Sequence, residues 1–281
     1  MEPIVKVKGL SYTYPDGTKA LNNVGLEIFP SNTIAFLGGN GAGKSTLFKC
    51  LNGILKPTCD LYQFQGEEVD YSKKSIAKLR ESVGIVFQDP DIQLFSANVY
   101  QDISFGPMNM YLTNDEVRAR VERAMKATGV EELKDRPTHF LSHGQKKRVA
   151  IAGVLAMEPK LIILDEPTAG LDPKGVSELL NILKTLKEEL NMVILIATHD
   201  IDIVPLYADY CYVMDEGKLV FSGSPEEIFK EPERIRSLSL RLPRIAHLME
   251  ILKKEDGLDI EGMPSTISEA RKEILKNEKR D

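Results

Sequence analysis

Between positions 38 and 45 the chain reads Gly38-Gly39-Asn40-Gly41-Ala42-Gly43-Lys44-Ser45, which fits the pattern G-x-x-x-x-G-K-[ST]. Such a loop turns backbone N–H groups toward one point and cradles the phosphates of a nucleoside triphosphate. The apolar run Thr33-Ile34-Ala35-Phe36-Leu37 ahead of it reads as a buried parallel strand, and Thr46-Leu47-Phe48-Lys49-Cys50-Leu51-Asn52 behind it reads as a helix. That strand–loop–helix context is the one the motif requires. The glycines permit backbone angles and a close phosphate approach that a Cβ would obstruct, and the helix N-terminus adds a favourable dipole. Residues Gly38 to Thr46 are therefore expected to bind ATP or GTP, with Lys44 reaching the β- and γ-phosphates and Ser45 a ligand of Mg²⁺. A glycine-rich turn of this pattern arises by chance in roughly one chain in a hundred of this length, and chance would not supply the flanking elements as well.

The rest of the chain alternates strands and helices. Residues 4–8 and 24–29 read as strands separated by the turn Tyr14-Pro15-Asp16-Gly17. Further buried strands are expected at 83–87, 161–164 and 192–197, with helices at about 114–128, 144–157 and 174–190. This order predicts an α/β fold: a mainly parallel sheet flanked by helices, an antiparallel β region at the N-terminus and a helical subdomain at about 89–157. Asp215-Glu216-Gly217 between two apolar runs over 209–223 predicts a hairpin. The principal domain is expected to span 1–236, followed by a small, charged helical extension over 237–281.

Length and charge narrow the functional classes. At 281 residues the chain can bury a sizeable core. Lys and Arg total 36 against 42 Asp and Glu, a net charge of −6 that gives no reason to expect a nucleic-acid binder. Cys50, Cys59 and Cys211 form no C-x-x-C pair, as expected in a reducing cytosol. No apolar run approaches the roughly 18 residues that span a bilayer, and Met1-Glu2-Pro3-Ile4 does not open like a signal peptide. Any membrane role is expected to come through a partner, on the cytoplasmic face.

Leu161-Ile162-Ile163-Leu164-Asp165-Glu166 is an apolar strand ending in two carboxylates. A parallel strand delivers its C-terminal end to the ligand crevice, so Asp165 is expected to reach Mg²⁺ and Glu166 to polarise the attacking water. Leu141-Ser142-His143-Gly144-Gln145 resembles the L-S-G-G-Q signature of ATP-binding-cassette (ABC) ATPases, and it precedes the Asp165-Glu166 pair as it does in that family. Gln88 resembles the Q-loop residue, Ala169-Gly170-Leu171-Asp172 the D-loop, and His199 the switch histidine, all in the family order. The resemblance covers nearly the whole chain.

It implies that Lys44 and Mg²⁺ neutralise the phosphates, Gln88 senses metal and water, and His199 holds the γ-phosphate. Ser142, Gly144 and Gln145 would meet the nucleotide of an opposite protomer, so that two chains sandwich two ATP molecules head-to-tail. A helix begun at the signature supports this physically, since its N-terminus suits an anion. Tyr14 stands where the family offers a ring to adenine, with Tyr12 as the nearby competitor and packing in the turn as the plainer role for either. Gly39 replaces the commoner proline, and His143 replaces the first signature glycine, which would add bulk near the opposite phosphate. Cys59-Asp60 stands where a Ser-Gly turn is common.

The stretch Gln88-Asp89-Pro90-Asp91-Ile92-Gln93-Leu94-Phe95, with Val99, Asp102 to Pro107 and Asn109, is similar to energy-coupling-factor transporter ATPases, and within them to the cobalt/nickel type known as CbiO. The resemblance implies that Asp89 to Asn109 receives an integral-membrane partner, with Asp91 and Asp102 as exposed charges on that surface. In the extension, Ile245, Leu248, Met249 and Leu252 share a helical face, and Thr266-Ile267-Ser268-Glu269 is a capping-box start. Those helices would pack on the main domain or join two chains; the resemblance favours joining. Import of cobalt, uptake of a vitamin through two unlike ATPase subunits, and a soluble ABC ATPase of repair or translation are the rival functions. The last typically carries a long coiled-coil insertion or two cassettes, neither of which this sequence contains.

Overall fold

The structure is a computed structural model that describes residues 2–278. Its chain enters through two long antiparallel strands, β1 (Val5–Thr13) and β2 (Lys19–Ile28). The alternation expected over residues 4–8 and 24–29 thus marks only parts of longer strands. Register shifts between Val7 and Leu10, and again on either side of Tyr12, break the period-two pattern that would reveal the whole hairpin. Then come β3 (Thr33–Leu37), α1 (Lys44–Leu51), β4 (Leu61–Phe64) and β5 (Glu67–Glu68). The strands β2, β1, β4 and β5 form an antiparallel sheet in that order.

The chain continues through α2 (Lys73–Ser82) and β6 (Val83–Val86) into the helical subdomain: α3 (Val99–Met108), α4 (Asn114–Thr128) and α5 (His143–Leu155). It returns through β7 (Leu161–Asp165), α6 (Pro173–Leu190), β8 (Val193–Ala197), α7 (Val204–Tyr207), β9 (Tyr210–Asp215) and β10 (Lys218–Gly223). The second sheet runs β10-β9-β3-β8-β7-β6, parallel except for the β9–β10 hairpin.

Strand alternation assigns this sheet two faces. Ile34 and Phe36, Leu161 and Ile163, and Val193 and Leu195 point into a core shared with α1 and the antiparallel sheet. Ile162 and Leu164, with Ile194 and Ile196, point the other way, into a core shared with α3 to α6. Both faces are therefore apolar, which is why the strands read as continuous hydrophobic runs. Short helices α8 (Pro225–Phe229) and α9 (Pro232–Ser237) lead to α10 (Arg244–Lys254) and α11 (Ile267–Glu278). Leu242 and Ala246 join Ala35, Leu37, Val213 and Phe229 in a third core, so the extension is seated on the parallel sheet of its own chain. Met249 packs with Ile260 and Ala270, flanked by Ile245 and Leu252, whereas Leu248 is exposed and does not share that contact.

Candidate functional site

The glycine-rich loop runs from buried β3 into α1, and its shape is fixed by close neighbours. Gly43 has φ 102°, and a Cβ there would lie 2.7 Å from the Ala20 carbonyl oxygen. At Gly38, φ 154°, a Cβ would lie 2.5 Å from the carbonyl of Met214. Only glycine fits either position. The β9–β10 turn holds the loop from behind, with the Gly217 N–H donating to Ala42 O at 3.1 Å. No side chain caps the N-terminus of α1 at Gly43, which leaves first-turn N–H groups for an anion. Lys44 arches over the loop, its Nζ donating to the carbonyls of Gly38 (2.7 Å) and Gly39 (3.1 Å). Burial pushes its ammonium pKa down, opposed by the carboxylates of Glu166 and Asp165.

Parallel register brings the strand ends together. Phe36 pairs with Ala197 and Ala197 with Asp165, so the residues beyond β3, β8 and β7 meet at one edge. Glu166 leaves β7 in the left-handed region, φ 46°, with its N–H donating to Ala197 O at 2.9 Å. Its Oε2 lies 2.8 Å from His199 Nδ1 and accepts the His199 backbone N–H at 3.2 Å. Asp165 is buried, and its Oδ1 has no hydrogen-bond donor among the described residues. A buried carboxylate oxygen in that condition, in the same cleft as the Ser45 hydroxyl and Lys44, fits an Mg²⁺–nucleotide.

The cleft encloses about 780 Å³ and collects Tyr14, the loop from Gly38 through Gly43, Lys44, Ser45, Thr46, Gln88, Asp165, Glu166 and His199. Tyr14 lines it with its hydroxyl 3.0 Å from Thr46 Oγ1, while Tyr12 meets Tyr14 edge-on and packs against the core. Of the two tyrosines, Tyr14 is the one at the cleft. Thr18, Lys19, Ile201 and Ser239 to Arg241 also line it and were not foreseen. Ser239 to Arg241 belong to the start of the extension, where no motif marks them; Arg241 is held by Asp202, 2.9 Å from Nη2.

Ser142, Gly144 and Gln145 do not line this cleft. Ser142 caps α5: its Oγ accepts Gln145 N–H at 3.3 Å, and Gln145 Oε1 accepts Ser142 N–H at 3.0 Å. The Gln145 side-chain oxygen therefore serves the cap, a role for which the S-x-x-Q spacing is a readable signal. The His143 ring lies against Gly170 of its own chain; a Cβ on Gly170 would be 3.0 Å from His143 Cε1. Asp172 caps α6, accepting Gly175 N–H at 2.7 Å. Asp102 is buried rather than exposed, because its carboxylate accepts the N–H groups of Phe95 (2.9 Å) and Ser96 (2.7 Å). Asp91 is exposed and pairs with Lys146 at 2.5 Å.

Comparison with known proteins identifies the family. The family model described as ABC transporter matches residues 21–169. The chain is 60% identical to the energy-coupling factor transporter ATP-binding protein EcfA3 of Clostridium perfringens, over 96% of this chain and 95% of that protein. It is 50% identical to EcfA of Methanocaldococcus jannaschii, over 97% of each. Among solved structures, CbiO1 from Clostridium perfringens, described as part of the ABC transporter complex cbiONQ, is 61% identical with TM-score 0.77, covering 89% of this chain and all of that one. The dimeric cassette MJ0796 bound to ADP and phosphate is 27% identical with TM-score 0.71, covering 79% of this chain and 98% of that one. On the family match and these identities, the chain belongs to the ABC transporter family, as the ATP-hydrolysing, ATP-binding subunit of an energy-coupling-factor transporter.

Proposed function

We propose that this subunit powers import of a transition-metal ion, cobalt foremost, with ATP and Mg²⁺ bound at a site completed by a second chain. The observation that carries the ATPase half of this reading is the convergence of Lys44, Asp165, Glu166 and His199 on one cleft whose lining does not include Ser142 and Gly144. Backbone N–H groups of Gly38 to Thr46 and Lys44 bind the phosphates, and Tyr14 packs on the base. Ser45, Asp165 and Gln88 hold Mg²⁺, which when bound offsets phosphate charge. Glu166 orients the attacking water, and His199, bonded to that carboxylate through Nδ1, has Nε2 left for the γ-phosphate. Ser142, Gly144 and the uncapped part of the α5 N-terminus close on the partner's nucleotide. In this reading residues 1–236 are the ATP-binding domain and 237–281 an extension that also contacts the cleft.

Cobalt rests on the 61% identity to CbiO1. Names of the relatives that say only energy-coupling factor keep vitamin uptake as the second reading. The membrane partner docks on Asp89 to Asn109, where Ile92, Phe95, Phe105 and Met108 are all exposed and the Phe95 and Phe105 rings meet edge-on at 4.8 Å. Tyr111, two residues beyond Asn109, and Phe140 are exposed too. Among the described residues no helix is long and apolar enough to cross a membrane, and the chain is read as peripheral, on the cytoplasmic face. The test is radiolabelled cobalt uptake by vesicles holding the chain and its co-purified membrane partners. ATP-driven cobalt accumulation, lost with co-purification in a Phe95→Glu, Phe105→Glu variant, is expected. Accumulation of a vitamin and not of cobalt would move the function to the second reading.

A further inference from the structure

Three consecutive residues of α5 reach out to three different parts of the chain. Lys146 pairs with Asp91 beyond β6, and Arg148 pairs with Glu178 on α6. Between them Lys147 is 1% exposed, and its Nζ donates to the backbone carbonyl of Glu166 at 3.1 Å. Burial pushes the Lys147 pKa down, against the opposing pull of Glu166, Asp165 and Asp89. A buried ammonium is costly where an apolar side chain of similar length would fill the same space. The hydrogen bond it makes among the described residues goes to the residue that carries the water-orienting carboxylate.

That residue is also the one in need of support. Glu166 sits at φ 46°, unfavourable for any side chain with a Cβ, and such a conformation persists only when its surroundings over-determine it. Its carbonyl accepts Ala169 N–H at 3.1 Å as well as Lys147 Nζ, its N–H is taken by Ala197, and its carboxylate by His199. Of these contacts, the Lys147 bond alone comes from α5, the helix whose first turn carries Ser142 and Gly144.

We propose that Lys147 is a positioning residue: through the Glu166 carbonyl it holds the left-handed backbone that aims the Glu166 carboxylate, and ties that aim to the seating of α5. This rests on the reading of Glu166 as the residue that orients water. A shift of α5 on meeting the partner's nucleotide is then transmitted to the chain's own site through one side chain.

The experiment uses the full chain with its membrane partners and MgATP. Lys147→Met removes the donor and keeps the length and apolar stem. We expect kcat to fall about 10- to 100-fold, the scale of a misaimed reacting group, with MgATP affinity and the KM for ATP changed less than about 2-fold. In a Glu166→Gln background the same substitution should cost little more, because the carboxylate it aims is already gone. If the Met variant does not fold, Lys147→Leu, which also lacks a donor, takes its place with the same two readouts. Parental kcat in a folded variant, or an equal further loss in the Glu166→Gln background, would overturn the proposal. Near-parental turnover by Glu166→Gln alone would instead overturn the assignment of Glu166, which keeps the two failures distinguishable.

Discussion

The cleft and the signature end of α5 are two anion-facing regions of one chain, and they are built in opposite ways. In the cleft, the glycine-rich loop, Lys44 and the carboxylates converge from β3, α1, β7 and β8, and Lys44, Asp165 and Glu166 are buried. At the start of α5 the groups are few, Ser142 and His143 are exposed, and the Ser142–Gln145 box already satisfies part of the helix end. A region that converges on a cavity can bind a ligand alone. One that presents a single uncovered helix turn needs a ligand brought by another surface. In the reading proposed above, the chain carries two complementary halves of different sites.

The largest effect is expected where the convergence is densest. Glu166→Gln should lower ATP turnover of the assembled transporter by about 1,000-fold, within the range for loss of a general base, and leave MgATP affinity nearly unchanged. Lys44→Ala should do the reverse, weakening MgATP binding by roughly 10- to 100-fold through loss of charged hydrogen bonds. Isothermal titration and steady-state hydrolysis, run on both variants, separate the two roles. Equal loss of binding in both would dissolve the distinction between cradle and carboxylate.

A smaller effect sharpens the other half. Gly144 lies in the first turn of α5, and a Cβ there meets Leu171 Cδ2 at an ordinary 3.5 Å. Gly144→Asp should therefore fold normally, helped by a negative charge near a helix N-terminus. Facing the partner's phosphates, the same charge should cut turnover at least about tenfold with the affinity of the single chain for MgATP unaltered. Unaltered turnover would mean that this helix end meets no nucleotide.

The smallest effect concerns how firmly the extension is held. Glu250 is held at about 2, well below its usual 4.5, chiefly by the hydrogen bond from Arg236 and also by Lys254. A depressed carboxyl pKa stabilises the folded state above the unfolded value and loses that contribution as pH falls through the folded one. The melting-temperature gap between the parent and Glu250→Gln should thus be full at neutral pH and shrink from about pH 4.5 downward. A gap independent of pH would detach the Glu250 pair from the stability of the extension.

Both regions were legible in the sequence to different depths. The loop, the β7 carboxylates and the β9–β10 hairpin carry local signals: glycine spacing, apolar runs ending in charge, and a turn between them. The α2 and α3 helices carry weak ones. Only Leu79 of α2 is buried, and Pro107 inside α3 argues against the helix that Asn98 caps. The burial of Asp102 is equally hidden, because it depends on the backbone N–H groups of Phe95 and Ser96 curling over it. Ser239 to Arg241 reach the cleft only because Leu242 and Ala246 are seated on the parallel sheet, a long-range packing event with no local pattern.

Disulfide trapping between two chains tests the two-half account most directly. Asn40 and Ser142 are both exposed, Cys50 and Cys211 are buried, and half-buried Cys59 can be replaced by Ser. Chains carrying Asn40→Cys and chains carrying Ser142→Cys, both in the Glu166→Gln background, would be mixed and oxidised with and without MgATP. A covalent heterodimer that forms only with MgATP is the predicted result. No cross-link, or one that forms equally without nucleotide, would contradict the claim that the signature of one chain closes on the loop of another.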